Sequence, residues 1–266
     1  MIEFTLYALV GALSGVMAGL FGIGGGLVIV PVLLLAFELK GFDAEVFAHM
    51  AVATSLAAII LNGLSAAWSQ HKRRAVAWSR WALVPALVIG SLLGAGFAGI
   101  ASGVSMRMML AVFLLAMGLY MLRGEKGGEN VQQLAAGWIA HLAGLGIGCV
   151  SALVGVAGGT FLVPLLTALG HPMRVAVGTS SALGVPLVSV AALGYMVVGF
   201  GAPGLPDWTI GYVYLPAFLG IALVSPWGAK LGVRLAHSLD HVILQRLFGF
   251  FLLANACWVL GNLWNT

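Results

Sequence analysis

Charge is scarce in this chain. Of its 266 residues, 8% are Asp, Glu, Lys or Arg, against 61% hydrophobic, and the mean hydropathy is +1.08. A soluble protein of this length could not cover its surface with so few charges. The net charge is +4, but the basic residues form no long patch, which argues against nucleic acid as a partner. Cysteine is nearly missing: Cys149 and Cys257 stand alone in apolar surroundings and are expected to be buried packing residues, not a disulfide. The six histidines show no HExxH or other metal-ligand spacing, so no metal or cofactor is expected. No acidic residue lies deep in an apolar segment, which argues against an Asp/Glu proton relay and leaves any coupling ion open. No positively charged region precedes the first apolar segment and no small-residue cleavage site follows it. That segment is expected to stay as structure instead of being removed as a signal peptide.

Long apolar runs are what the chain has in abundance. They lie at roughly 4–22, 27–39, 45–69, 78–100 and 105–123, then at 134–154, 160–170, 174–199, 209–229 and 242–263. Several reach the ~20 residues that a bilayer crossing needs. The expected class is an all-α polytopic membrane protein. The most polar stretch, at 124–133, reads as a linker between an N-terminal membrane repeat (1–123) and a C-terminal one (134–266).

The two sets are related by duplication. Residues 15–34 read GVMAGLFGIGGGLVIVPVLL and residues 148–167 read GCVSALVGVAGGTFLVPLLT, with eight of twenty pairs identical at a spacing of 133. AVATS at 51–55 matches AVGTS at 176–180, and Pro85 matches Pro216. Helices exclude glycine and proline, yet both copies place them inside an apolar stretch. Backbone that leaves the helix at membrane depth must be buried in protein or face a watery cavity. Paired broken segments in two halves point to a transporter binding site. As one straight helix, residues 4–39 would run roughly 50 Å against a hydrocarbon core of about 30 Å, so the chain must break at Gly22–Gly26.

Charge selects the topology. The basic loop at 71–74 corresponds to 201–207, which holds no Lys or Arg, while the loop around Arg107 corresponds to one carrying Lys230 and Arg234. If each break is a hairpin, the halves are inverted and both termini lie outside. Lys72, Arg73, Arg74, Arg80, Arg123, Lys126, Arg174, Lys230, Arg234 and Arg246 then fall inside, and only Lys40 and Arg107 outside. A single broken crossing would split the same cations evenly. Each half thus reads as a glycine-broken helical hairpin plus three transmembrane helices, with Trp68, Trp78 and Trp81 flanking the basic loop as interfacial aromatics do.

The first helix of each half has a small-residue face, Gly11, Gly15, Gly19 and Gly144, Gly148, Ala152, which suits close helix packing. The clusters Gly24, Gly25, Gly26 and Gly158, Gly159 sit beside short helices expected to start near Leu27 and Thr160. A helix N-terminus offers unpaired N–H groups and positive dipole charge, so it favours anions. Thr54, Ser55, Thr179 and Ser180 lie at matching positions on the next helices, where a hydroxyl can bind an oxyanion or bond back to its own helix. Asn62 is a polar residue in an apolar segment of one half only. His49, His171 and Arg174 lie near segment ends, where snorkelling to the interface is expected. His141 starts a helix and can hydrogen-bond there.

The doubled F/V-G-x-x-G-G-x-x-x-x-P core, the A-V-x-T-S that follows it and the short basic loop resemble the TauE/SafE sulfite exporters, also called the TSUP or DUF81 permeases. The resemblance covers essentially the whole chain. It implies a permease for sulfur-containing anions such as sulfite, sulfonates and sulfoacetate in the bacterial inner membrane. The glycine breaks and duplicated hydroxyls independently fit a small oxyanion, with Gly24, Gly25, Gly26, Thr54, Ser55, Gly158, Gly159, Thr160, Thr179 and Ser180 expected to line the site. One departure is Ala157, where the first half has Gly24, so the two breaks need not be equivalent.

Two other classes compete with a carrier. An anion channel also uses broken helices, and saturable counter-transport separates the two. An intramembrane enzyme of rhomboid type needs a serine facing a buried histidine. GTSS at 178–181 supplies serines, but no histidine stands at a matching buried position, and catalysis needs no duplication. The sequence gives no oligomeric state, direction of transport or exact substrate.

Overall fold

The computed structural model describes residues 2–21, 24–123, 137–235 and 241–263; the expected linker lies outside them. Helices dominate: α1 (Ile2–Phe21), α2 (Gly26–Leu39), α3 (Phe47–Lys72), α4 (Val84–Ile100) and α5 (Gly103–Arg123), then α6 (Trp138–Val154), α7 (Gly159–Ala168), α8 (Met173–Val198), α9 (Leu215–Leu235) and α10 (His241–Leu263). Among the described residues, four stretches are long and apolar enough to cross a membrane: Phe47–Lys72, Trp78–Ile100, Gly103–Tyr120 and Arg174–Val198. The protein is an all-α membrane protein.

Two apolar segments open without α-helix. Trp78–Leu83 forms a 3-10 turn before α4, and β1 (Thr209–Ile210) pairs antiparallel with β2 (Val213–Tyr214) before α9. Gly211 turns that hairpin with φ +54°. Pro85 and Pro216 then sit in the first turns of α4 and α9, where proline's missing N–H costs nothing.

Helix partners cross between the halves. α1 packs along α9 with Gly11 against Ile221, Gly15 against Ser225 and Ala229, and Gly228 against Ala12. α6 packs along α4 in the same manner, with Gly144 beside Ala86 and Gly148 against Leu87 and Ser91. Both pairs run parallel, and a Cβ on Gly15 or Gly148 would strike a facing carbonyl oxygen. Such glycine faces let helix backbones approach where lipid gives no hydrophobic drive to pack. α9 is also parallel to α3, since Thr54 meets Tyr214 and Asn62 meets Ser225. α8 is parallel to α4, since Gly194 meets Ala95 and Gly99 meets Val198. α3 and α8 are antiparallel, with Gly63 against Val185. α5 and α10 are antiparallel as well, with Gly118 beside Gly249 and Leu253, and Gly249 beside Leu122.

The largest buried side chains include Tyr7, Tyr195, Phe37, Met50, Leu56, Ile59, Leu87 and Met106, and Leu162, Leu183, Leu187 and Ile221 join the same cluster, so the core is built from both halves. Large apolar groups such as Ile100, Leu142, Val197 and Trp227 face outward, as lipid permits. Cys149 is half-buried and Cys257 exposed; both are free thiols. The expectation that both cysteines are buried is therefore corrected. In a bilayer the outer face of a helix is as apolar as its inner face, so an apolar setting says nothing about burial.

Candidate functional site

The glycine breaks come into contact with each other. A Cβ on Gly24 would lie 2.5 Å from the Cβ of Ala157, and one on Gly26 would lie 2.6 Å from the Gly155 carbonyl oxygen. Both breaks sit beside the middle of a long helix. Ile59 of α3 packs under Gly24 and Gly26, and Leu187 of α8 lies against Gly158. The chain turns back at the first break: Gly25 touches Ser14, and Lys40, just past α2, lies over the Tyr7 ring at 5.8 Å.

Gly24 and Gly25 have φ +73° and +84°, a left-handed conformation costly for any residue with a Cβ. α2 starts at Gly26 and α7 at Gly159, one residue before the expected starts. In the second break the left-handed residue is Gly155, φ +75°, which ends α6. Gly158 has φ −53°, and a Cβ there would meet side-chain methyls of Leu162 and Leu187, not backbone, so its backbone conformation does not require glycine. The Gly25 carbonyl takes the Val28 and Ile29 N–H groups and the Gly158 carbonyl those of Phe161 and Leu162, which leaves the N–H groups of Gly26, Leu27, Gly159 and Thr160 without an intrahelical acceptor, so both breaks present donors. Pro31 and Pro164 lie inside these short helices and free the carbonyls of Leu27 and Thr160.

The hydroxyls divide by partner. Ser55 donates to the Gly155 carbonyl at 2.8 Å, tying α3 to the other half's break. Ser180 donates to the Val177 carbonyl of its own helix. Thr54 Oγ1 accepts the Tyr214 N–H at 3.0 Å, and Thr179 Oγ1 accepts the Ala77 N–H at 2.9 Å. The two threonines thus hold the segments that lead into α9 and α4, each from the opposite half. Their oxygens are occupied as acceptors, while their hydroxyl protons are donated to no protein group among the described residues. Thr160 stands in the first turn of α7 with its hydroxyl buried and unpartnered, as are Ser151 Oγ and Asn62 Nδ2. Neither Ser151 nor Asn62 recurs in the other half, so the duplication that marks the threonines in the sequence does not mark these two.

One histidine departs from the snorkelling expectation, and a second, His171, is half-buried in the connection between α7 and α8. His49 is 2% exposed. Its Nδ1 lies 3.1 Å from the Glu45 carbonyl, its Nε2 lies 3.0 Å from the Ala98 carbonyl, and its ring stacks on Tyr212. His171 Nε2 accepts the Nε–H of Arg80 at 2.7 Å, which requires a neutral ring there. Burial and the Arg80 charge hold its pKa below the ordinary 6.5. His141 Nδ1 meets the Gly137 carbonyl at 3.1 Å, as expected of a residue opening a helix.

Cations gather at one end of the bundle. Lys72 lies over Trp68, and His71 and Trp81 pack edge-on or tilted against Trp78. Arg80 stands on the 3-10 turn, and the helix directions bring Arg174 and Lys230 to the same end. Lys40 and Arg107 lie at the opposite end. There Lys40 Nζ donates to Tyr214 Oη at 3.1 Å, and Arg107, 5% exposed, lies over Phe47.

Comparison with known proteins places this architecture. The family model described as Sulfite exporter TauE/SafE matches residues 7–259. A relative from Haemophilus influenzae, titled "Probable membrane transporter protein", is 32% identical over 94% of this chain and 96% of its own length. One from Methanocaldococcus jannaschii with a like title is 27% identical over 92% of each chain. No solved structure matches at a significant level. With a match across nearly its whole length, the chain belongs to the sulfite exporter TauE/SafE family of membrane transporters, and not to a family of enzymes.

Proposed function

We propose that this protein is a secondary transporter that carries a small sulfur-containing anion, of the sulfite, sulfonate or sulfoacetate type, bound where the two glycine breaks meet. The observation that carries this reading is the contact of Gly24 with Ala157 and of Gly26 with Gly155, beside the middles of α3 and α8. Two short-helix N-termini converge there, at a depth where exposed backbone would otherwise be costly. Gly24, Gly25, Gly26, Gly158 and Gly159 supply close-approaching backbone, Thr54, Thr160 and Thr179 supply hydroxyl protons, and Ser55 and Ser180 would join them by turning their protons from the Gly155 and Val177 carbonyls to the anion.

The halves, 1–123 and 134–266, act as inverted repeats. The helix directions support this: α1, α3 and α9 run one way, and α4, α6 and α8 the other. Corresponding helices of the two halves are therefore opposed, the arrangement from which alternating access by rocking follows. The family and the placement of cations favour a bacterial inner membrane with the Lys72–Arg74 end inside. A channel is the second reading, because the same breaks could line a pore. Flux of sulfite and of sulfonates into proteoliposomes decides between them. Saturable uptake accelerated by anion on the far side supports the carrier, non-saturating conductance supports the channel, and no anion flux at all overturns both.

A further inference from the structure

Three buried polar atoms have no hydrogen-bond partner among the described residues: Asn62 Nδ2, Ser151 Oγ and Thr160 Oγ1. Unpaired buried donors are rare in folded proteins and call for an explanation. Ser151 and Thr160 flank the second glycine break along the chain, and Asn62 lies one turn past Ile59 on α3. Ser55, Ile59 and Asn62 follow one face of α3 at helical spacing. Ser55 bonds the Gly155 carbonyl and Ile59 underlies Gly24 and Gly26, so Asn62 continues the row that faces the breaks. It is 3% exposed, and its Oδ1 already accepts from Ser225 at 2.7 Å, which leaves the amide N–H groups as its free end. On the other side Ser151 closes α6, its carbonyl taking the N–H groups of Gly155 and Val156, and Thr160 opens α7. The second break therefore has an unpaired hydroxyl before it and another after it.

These donors carry no charge, and neither do the segments around them. α7 has no ionisable residue, α2 has only Glu38 near its C-terminal end, α3 has only His49, His71 and Lys72 near its two ends, and α8 has only Arg174 at its start and the phenol of Tyr195. The positive potential at the breaks comes from the N-termini of α2 and α7, each equivalent to roughly half an elementary charge. Together they balance about one negative charge. A second negative charge would stay uncompensated in a dry site, where the cost of removing an ion from water rises steeply with its charge.

We propose that Asn62 Nδ2, Ser151 Oγ and Thr160 Oγ1 are substrate ligands, and that the site they complete selects a singly charged oxyanion, such as a sulfonate or bisulfite, over a doubly charged one. This rests on the reading that an anion binds between the breaks. The test titrates methanesulfonate and sulfate into the purified full chain by calorimetry, for the wild type, Ser151→Ala, Thr160→Val and the pair Asn62→Leu with Ser225→Ala. The wild type binds methanesulfonate at least about tenfold more tightly than sulfate. Each variant loses about tenfold or more in methanesulfonate affinity, the worth of one hydrogen bond to a charged acceptor. Because an unpaired donor contributes nothing to the empty fold, Ser151→Ala and Thr160→Val keep or raise the unfolding midpoint without ligand. Sulfate binding as tight as methanesulfonate, unchanged affinity in the variants, or a lowered midpoint in either single variant overturns this inference and leaves anion transport standing. Failure of both anions to bind or to be transported overturns the transport reading with it.

Discussion

Gly24 and Ala157 occupy equivalent positions of the two repeats, 133 residues apart, and face each other across the meeting point of the breaks. A Cβ on Gly24 would come within 2.5 Å of the one Ala157 carries. There is room for one methyl group and not two, so the pair cannot be alanine on both sides. This is the physical reason the duplicated motif is broken at this position.

Gly24→Ala is accordingly expected to destabilise twice over, through the clash and through φ +73°, the latter alone worth about 1–2 kcal/mol. Adding Ala157→Gly removes the clash but not the backbone strain. The double variant should recover part of the lost stability, and thermal unfolding of the single and double variants measures the coupling. Strict additivity of the two substitutions would mean that the breaks do not touch.

Glycines of one small-residue face should differ sharply. A Cβ on Gly148 meets the Leu87 carbonyl and the Ser91 amide, whereas one on Gly144 meets only side chains at ordinary contact, the nearest at 3.6 Å. Gly148→Ala is expected to cost about 1–3 kcal/mol by overpacking. Gly144→Ala should be neutral, or stabilising by up to about 1 kcal/mol through helix propensity. Chemical denaturation of the two variants in the same detergent checks the difference.

Thr54→Val and Thr179→Val each remove the acceptor of a loop N–H, that of Tyr214 or of Ala77. Each should lose about 1–3 kcal/mol of stability, the penalty for an orphaned buried donor. Thr→Ser at either position keeps the oxygen and should lose much less. Ser180→Ala makes the control, since its hydroxyl returns to its own helix. Equal stability of the Val and Ser variants would show that these bonds do not form.

Acid should loosen the contact between the 3-10 turn and the α7–α8 connection. His171 accepts from Arg80 as a neutral ring, with its pKa held below 6.5 by burial first and the Arg80 charge second. With the folded pKa below the unfolded one, this contact contributes fully above pH 6.5 and is lost as pH falls through the folded value. The stability of the wild type should fall on acidification through that window more steeply than that of His171→Gln. Identical pH profiles would remove His171 as the cause.

Reporters fused to the chain test its orientation. A reporter inserted after Arg74 should be active in the cytoplasm, and one at the C-terminus active outside it. A cytoplasmic C-terminus would reject inverted halves as proposed, because α10 must then end on the side of the basic loop.

Much of this architecture is local and therefore visible in the sequence. Glycine and proline interrupt a helix through their own backbone chemistry, so the breaks at Gly22–Gly26 and Gly155–Gly159 could be located without coordinates, within one residue of where α2 and α7 begin. Duplication likewise needs no fold to be seen, and apolar length alone marked the helices. Which helices touch is a different matter. Hydropathy gives no inside and outside when the solvent is lipid, so nothing in the residues of α1 says that it packs on α9 of the other half, that Cys257 is exposed, or that His49 is enclosed between two carbonyls. The same holds for the hydroxyls. Thr54 and Ser55 are neighbours of one chemical kind, yet one takes an N–H from the hairpin before α9 and the other gives its proton to Gly155. A hydroxyl can donate or accept, and only the packing of the two halves determines which partner comes within reach.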